Sequence, residues 1–225
     1  MVNIMRSLFS IFFVIICCFS SAAHSEEPQL YETGPSEESS YVRFVNATDE
    51  PVVITSSAGN AKVSLSTKDD GRVSHFFTVK AGSKLSAVIQ EGAGKVAVSV
   101  TGKPWEYITI AVLPDGVGKV KTMLVRETPT DFNGVRASFA LFNLDAKCGA
   151  ATLQGGSKNT PIVENIKPYT VGRRLINPVK LSASLICEGE RNMSDFPQLQ
   201  AGERYSVFVL SLKNVRQSFI VRDAN

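Results

Sequence analysis

The residue types that carry most enzyme chemistry are sparse in this chain of 225 residues. It has two histidines, and only His75 lies well inside the chain. A hydrolytic or acyl-transfer centre needs a nucleophile, an imidazole base and a carboxylate, and the sequence contains no Gly-x-Ser-x-Gly elbow. His75 stands beside two phenylalanines, in a pattern typical of a packed or edge strand. The sequence therefore favours a non-catalytic protein, with catalysis through His75 as the alternative.

The cysteines and acidic pairs favour a disulfide over a metal site. Two of the four cysteines, Cys148 and Cys187, lie beyond the apolar N-terminal run. An even pair in an exported protein suggests a disulfide, and no Cys-x-x-Cys supports a reactive thiol or half of a metal site. Asp69-Asp70 precedes a glycine, and a turn explains this pair without a cation. No metal and no cofactor is expected.

Five residues are candidates for contact with a partner or a polymer. Trp105 is the only tryptophan; we expect it to lie in the core, and the alternative is an exposed aromatic that stacks on sugars or anchors a partner. Lys167, Arg173, Arg174 and Lys180 form the densest basic patch. A solvated face explains this patch most simply, and binding of a polyuronate is the functional alternative.

The N-terminal residues have the composition of a secretion signal. Arg6 precedes an apolar run at 8–19, and Ser21-Ala22-Ala23 provides a small-residue cleavage site. Cleavage is expected between Ala23 and Ser25, so residues 1–25 are assigned to the signal peptide. A run of 12 residues is shorter than the roughly 20 that span a bilayer, although a retained anchor is the alternative. Export from the cytoplasm is therefore expected.

Charge and composition exclude two further classes. The formal net charge is +3, with 44% hydrophobic and 20% charged residues. This composition excludes disorder throughout, and the basic residues lack the concentrated footprint of a nucleic-acid-binding protein. Residues 26–40 form an acidic flexible leader rich in Glu, Pro and Ser. This leader and the linker are the predicted location of a partner surface.

The rest of the chain alternates between short apolar runs and turn signals, which predicts an all-β fold. No window sustains a helical period. Many short strands at this spacing indicate two β-sandwich domains in tandem, at 41–127 and 135–225, joined by a linker at 128–134. Lys68 to Gly71 ends in Asp-Gly, which predicts a hairpin between strands at 61–67 and 72–79.

Two sequence similarities suggest that the domains are related. Val45-Asn46 is matched by Phe142-Asn143, 97 positions later, at the end of an apolar run. Ala81-Gly82 is matched by Ala201-Gly202, 120 positions later, inside a common apolar-x-Ala-Gly-x-x-apolar-Ser pattern. Because the offsets differ, the prediction is two related β-domains with different loops.

The order of these motifs resembles that of the AlgF proteins, periplasmic components of alginate O-acetylation. The resemblance is carried by Leu30-Tyr31, Tyr41-Val42-Arg43-Phe44-Val45-Asn46-Ala47, Asn143-Leu144, Cys148, Arg174-Leu175-Ile176-Asn177-Pro178-Val179, Cys187, Ala201-Gly202 and Tyr205-Ser206. It covers nearly the whole chain after the signal.

The resemblance implies a role in a periplasmic assembly. An AlgF-like protein would be an adaptor between a membrane-bound O-acyltransferase and periplasmic acetyltransferases that modify alginate or a similar exopolysaccharide. A secreted carbohydrate-binding module is the alternative function. Direct contact with the anionic polysaccharide is a further expectation for the basic patch.

Overall fold

The protein is nearly all strand. The structure, a computed structural model, describes residues 38–130, 133–156, 158–213 and 215–223; the predicted signal peptide and most of the leader lie outside this range. Its strands are β1 Ser39–Asn46, β2 Val52–Ser56, β3 Lys62–Leu65, β4 Phe77–Lys80, β5 Lys84–Glu91, β6 Gly94–Thr101, β7 Tyr107–Pro114, β8 Val120–Glu127, β9 Ala137–Asn143, β10 Ala151–Gly155, β11 Thr160–Ile166, β12 Thr170–Ile176, β13 Lys180–Cys187, β14 Glu190–Gln198, β15 Arg204–Leu212 and β16 Val215–Arg222. A 3-10 helix occupies Asp69–Gly71. In this part of the chain, no helix is long and apolar enough to cross a membrane.

The strands form four sheets of four strands, two in each half of the chain. The first half contains sheet A, in the order β4-β1-β7-β8, and sheet B, in the order β3-β2-β5-β6. The second half contains sheet C, β12-β9-β15-β16, and sheet D, β11-β10-β13-β14. β1 is parallel to β7 and β9 to β15. The prediction of an all-β protein with two sandwiches is confirmed.

The two sandwiches have the same topology, because adding eight to each strand number of sheets A and B gives sheets C and D. The predicted match of Asn46 with Asn143 is correct, since each ends the first strand of its sandwich. The match of Gly82 with Gly202 is wrong as a repeat, because their turns join β4 to β5 and β14 to β15. Both glycines have φ of 78°, so the shared motif identifies a turn type.

Three apolar cores separate four layers in the order B, A, C, D. One core lies between sheets A and B, and another between sheets C and D. The third core joins sheets A and C, and therefore the two sandwiches. Sheets A and C are covered on both faces, so their parallel strands are almost wholly buried. β8 ends at Glu127 and β9 begins at Ala137, which places the predicted linker between the sandwiches.

The third core joins equivalent surfaces of the two sandwiches, and these surfaces differ in side-chain volume. At several equivalent positions sheet A contributes a small residue and sheet C a large one. The pairs are Val45 with Phe142, Ala47 with Leu144, and Ala111 with Phe208. Small side chains in one sheet leave room for the large side chains of the other, which allows dense packing at this contact.

A buried asparagine stabilises the same corner in each sandwich. Asn46 and Asn143 are both 0% exposed. The side-chain amide of each donates two hydrogen bonds to backbone carbonyls. The acceptors are Glu50 and Ser66 for Asn46, at 2.9 and 3.0 Å, and Cys148 and Ile166 for Asn143, at 2.7 and 2.9 Å. The repeated asparagine therefore has a structural role.

The predicted hairpin at Lys68 to Gly71 is wrong. β3 belongs to sheet B and β4 to sheet A, so the chain crosses between sheets here instead of reversing within one. The crossing is held by Arg72, which is buried and donates to the carbonyls of Asn46 and Thr48 at 3.1 and 2.9 Å. These bonds draw the backbone away from sheet B, and β4 begins only at Phe77.

We expect Asn143→Ala to lower the free energy of unfolding by about 2–5 kcal/mol, because it leaves two buried carbonyls without donors. Asn192→Ala is the matched control, since Asn192 is exposed, and its effect should stay within about 0.5 kcal/mol. Urea unfolding followed by circular dichroism measures both. Equal midpoints for Asn143→Ala and wild type would show that the corner does not depend on this amide.

Candidate functional site

The predicted disulfide is present. Cys148 follows β9 and Cys187 ends β13, with 5.5 Å between their Cα atoms. Both residues are buried in the core between sheets C and D. The bond closes a separation of 39 positions, which stabilises the fold by about 3–4 kcal/mol in the chain-entropy model.

A buried guanidinium joins the two sandwiches. Arg43 lies on β1, and its side chain is 1% exposed at the contact between sheets A and C. Its Nη1 donates to Asp223, which follows β16, at 2.7 Å. Its Nε donates to Thr109 on β7 at 3.0 Å, and its Nη2 donates to Ser206 on β15 at 2.9 Å. Thr109 and Ser206 occupy equivalent positions, so Arg43 is held by matching hydroxyls of both sandwiches.

Aromatic rings from both sandwiches surround the same guanidinium. Its Cζ lies 4.5 Å from the ring centroid of Phe76, 5.0 Å from that of Phe142 and 5.1 Å from that of Phe208. Cations are attracted to aromatic faces at these distances. The position equivalent to Arg43 is Ala140, which is also buried and leaves space at the contact. The first sandwich thus supplies the guanidinium and one of the three rings, and the second sandwich supplies the other two rings.

A second ion pair lies beside the first. Arg173 on β12 forms a two-fold ion pair with Glu127 on β8, including an Nη2 to Oε2 distance of 3.1 Å. Its Nη2 also lies 3.8 Å from Asp223. Burial by itself raises the pKa of Asp223, but the charges of Arg43 and Arg173 and a hydrogen bond from Ser206 outweigh it and hold this pKa below its usual value.

Sequence reasoning did not identify Arg43 as a central residue. Arg43 lies in the alternating run of β1, where a charged residue between apolar ones indicates a solvent-facing position. The signal against that interpretation was Val45, an apolar residue on the same face of the strand. A strand with apolar residues on both faces is buried on both sides, and an arginine within it needs a buried partner.

The structure separates the predicted basic patch. Arg173 is turned into the contact between the sandwiches and its side chain is 12% exposed, so it does not share an exposed face with the other three basic residues. Arg174 is exposed, and its Nη1 donates to the carbonyl of Pro161 at 3.1 Å. Lys167 and Lys180 are exposed, in the turn before β12 and at the start of β13. These three remain candidate contacts.

Trp105 is 52% exposed, and its predicted burial in the core is wrong. It lies in the turn between β6 and β7 with φ of 61°, and its N–H donates to the carbonyl of Ser39 at 2.8 Å. Gly202 is its equivalent in the second sandwich, with φ of 78° and an N–H that donates to Arg136 at 2.9 Å. A left-handed backbone costs a non-glycine residue about 1–2 kcal/mol.

A cleft lies between the sandwiches, at the carboxyl ends of their parallel strands. It encloses about 630 Å³. Its apolar floor comes from two equivalent pairs, Ala47 with Leu144 and Leu113 with Leu210. Three lysines contribute to its walls, namely Lys121, Lys147 and Lys213. Two aspartates, Asp49 and Asp145, line the same cleft, so its walls carry charges of both signs.

The residues considered for catalysis have structural surroundings. His75 is exposed, and its ring lies 4.3 Å from that of Phe77. The neighbouring Ser74 hydroxyl accepts from the N–H of Phe44 at 3.0 Å and donates to the carbonyl of His75 at 2.8 Å. In the described ranges, no group of three His, Cys, Asp or Glu residues is placed to hold a metal ion.

These features define a class of protein, an all-β protein of two related sandwiches joined through a buried polar contact. A family described as "Alginate O-acetyl transferase AlgF" matches residues 14–206. The chain therefore belongs to the AlgF family, and it has a role in alginate biosynthesis and O-acetylation.

The chain is also similar to individual proteins and solved structures. The "Alginate biosynthesis protein AlgF" of Pseudomonas aeruginosa is 29% identical over 192 residues, which cover 84% of this chain and 80% of the relative. Among solved structures, the C-terminal domain of AlgF from P. aeruginosa is 26% identical, with a TM-score of 0.35; the match covers 39% of this chain and 98% of that one. A putative cell adhesion protein from Bacteroides uniformis is 9% identical, with a TM-score of 0.29, and the match covers 81% and 97% of the two chains.

We expect Asp223→Asn to lower the free energy of unfolding by about 3–5 kcal/mol at neutral pH, because it leaves the Arg43 charge buried without a carboxylate. Glu203→Gln is the control. Glu203 forms an exposed ion pair with Arg222, so the unfolding midpoint of Glu203→Gln should stay close to that of wild type. Urea unfolding at pH 7 measures both, and a loss no larger than that of the control would contradict the central role of the pair.

The same variant should reveal the pH dependence of the ion pair. The pKa of Asp223 is lower in the folded protein than its unfolded value of about 3.9, so the pair contributes stability above that pH and loses it as pH falls through the folded value. The difference between wild type and Asp223→Asn should therefore be greatest above about pH 5 and should narrow towards pH 2. A difference that is constant from pH 7 to pH 2 would contradict this assignment.

Proposed function

We propose that this protein is a non-catalytic periplasmic adaptor for O-acetylation of alginate or a similar exopolysaccharide. It binds a membrane-bound O-acyltransferase and periplasmic acetyltransferases and brings them together. A cleaved signal peptide at residues 1–25 delivers it to the periplasm, where the bond between Cys148 and Cys187 is stable. Membership of the AlgF family supports the pathway, and the arrangement of the sheets supports the adaptor role.

The observation that carries the proposal is the burial of sheets A and C against each other. The outer faces of sheets B and D consequently point in opposite directions, on a body that the third core makes continuous. An adaptor needs two surfaces that can be occupied at once and are held at a fixed separation. A protein with one catalytic cleft has no need of this arrangement.

The surroundings of the reactive side chains support a non-catalytic role. The Ser74 hydroxyl already bonds the backbone on both sides, and the charges of Arg173 and Asp223 are used within the contact between the sandwiches. Catalytic groups are usually held in a cleft with a perturbed pKa. Here the carboxylate whose pKa is lowered, that of Asp223, lies in a buried structural contact.

Carbohydrate binding is the second candidate function, and the exposure of Trp105 favours it. An exposed indole can stack on a sugar, and Lys103 lies two residues before it in the same turn. Isothermal calorimetry with oligouronates tests this candidate. Binding that is lost in Trp105→Ala would support it, and absence of heat at millimolar ligand would remove it.

We expect deletion of this protein to remove acetyl groups from the exopolysaccharide, and the His75→Ala variant to restore them. Proton NMR of the purified polymer measures the acetyl content, with wild-type complementation as the control. Immunoblotting of the periplasm confirms that the variant is exported. Unchanged acetylation in the deletion strain would contradict a role in acetylation, and failure of exported His75→Ala to restore it would contradict the non-catalytic role.

The outer faces of sheets B and D should affect different partners. Val88 on β5 and Met193 on β14 are exposed by 40% and 75%, and a glutamate at either site should disturb only the nearby surface. We expect Val88→Glu and Met193→Glu each to reduce recovery of one acetylation protein at least tenfold and to leave another unchanged. Co-purification from detergent-solubilised envelopes measures this, and loss of the same partner in both variants would contradict two separate surfaces.

A further inference from the structure

Trp105 occupies a position at which the second sandwich has a glycine, Gly202. The turn before β7 and the turn before β15 have the same backbone hydrogen bonds, including Glu106 N–H to Lys103 O at 3.2 Å and Glu203 N–H to Gln200 O at 3.3 Å. Gly202 adopts the left-handed conformation of this turn without a steric penalty, whereas Trp105 adopts it at φ of 61°. The turn therefore forms without a tryptophan, so turn formation does not explain this side chain.

The indole also contributes little to the core. It is 52% exposed, and none of the ring pairs found in the described ranges includes it. Its backbone is fixed, because its N–H bonds Ser39 and the next residue, Glu106, accepts from the N–H of Tyr41 at 2.8 Å. A strained and exposed residue on a rigid turn is the kind of outlier from which a functional role can be inferred.

Lysines surround this turn. Lys103 lies within the turn. Lys80 is paired with Ser39, whose carbonyl accepts the hydrogen bond from the N–H of Trp105. Lys84 pairs with Thr101 at the end of β6, directly before the turn. The nearby carboxylate of Glu106 is 8% exposed and is paired with Arg126. The surface around Trp105 therefore carries three lysines and one exposed acidic residue, Glu38, which precedes Ser39 and whose carbonyl accepts from the N–H of Ala81.

We infer that Trp105, together with Lys80, Lys84 and Lys103, docks into an apolar pocket with an acidic rim on a periplasmic acetyltransferase of the acetylation assembly. This inference rests on the proposed adaptor function and assigns a surface to it. A single rigid indole that projects from a turn suits a pocket in a protein, where tryptophan is enriched among residues that dominate binding. A polysaccharide chain is better matched by a row of exposed rings, and the nearest pair here, Tyr41 and Tyr107, stack on each other at 4.6 Å.

The decisive variant is Trp105→Gly, which copies Gly202. It removes the indole and relieves the strain of the left-handed backbone, so the urea midpoint should equal or exceed that of wild type. Affinity for the purified acetyltransferase, measured by biolayer interferometry, should fall at least 30-fold, the change expected for a dominant interface residue. Trp105→Phe should retain part of the affinity, and Lys103→Glu should weaken binding and reduce its salt dependence.

Val117→Ser is the matched control. Val117 is a fully exposed apolar residue beyond the other end of β7, and we expect its replacement to leave affinity unchanged. Wild-type affinity in Trp105→Gly would overturn the docking surface while leaving the adaptor proposal intact. If wild-type protein binds no acetylation protein, the adaptor proposal itself fails. Trp105-dependent binding to oligouronates or to anionic lipid vesicles, without binding to the acetyltransferase, would overturn the choice of partner.

Discussion

The architecture depends on one buried charge and on the groups that neutralise it. Arg43 is desolvated between two sheets, and burial lowers its pKa while Asp223 opposes that effect. A buried ion pair is favourable only when its remaining donors are also satisfied, and here Thr109 and Ser206 satisfy them. Because these four residues come from both sandwiches, the charge is neutralised only when the two sandwiches are in contact. Burial of the apolar third core stabilises the contact between the sandwiches, and the hydrogen bonds of the polar cluster orient one sandwich relative to the other.

Because of these roles, several charged and hydroxyl side chains are buried between the sandwiches. Arginines, hydroxyls and carboxylates that might be expected at a catalytic centre are used to join two sandwiches, and the exposed surface retains isolated features such as Trp105. This organisation is consistent with the adaptor role that we propose in alginate O-acetylation.

The fold class, the disulfide and most strands could be predicted from local patterns, because buried strands are apolar and alternate regularly. The strands β11, β12 and β14 were not predicted, and all three lie at sheet edges. Edge strands tolerate charge and proline, as Pro161 and Pro197 show. The contact between the sandwiches and the exposure of Trp105 could not be predicted either, because each depends on which faces meet in three dimensions, and a single sequence does not record this.

The unequal side-chain volumes at the third core bear on how such a protein could have evolved. Two identical ancestral domains that met through the same surfaces would form a symmetric dimer, and fusion of their genes would free each copy to change. The difference between Arg43 and its equivalent Ala140, and that between Ala111 and its equivalent Phe208, are what such independent change would produce. The domains have consequently lost their interchangeability: two first domains would bring together two arginines, and two second domains would crowd their phenylalanines. The contact between the two domains is therefore directional, because each domain supplies different residues to it.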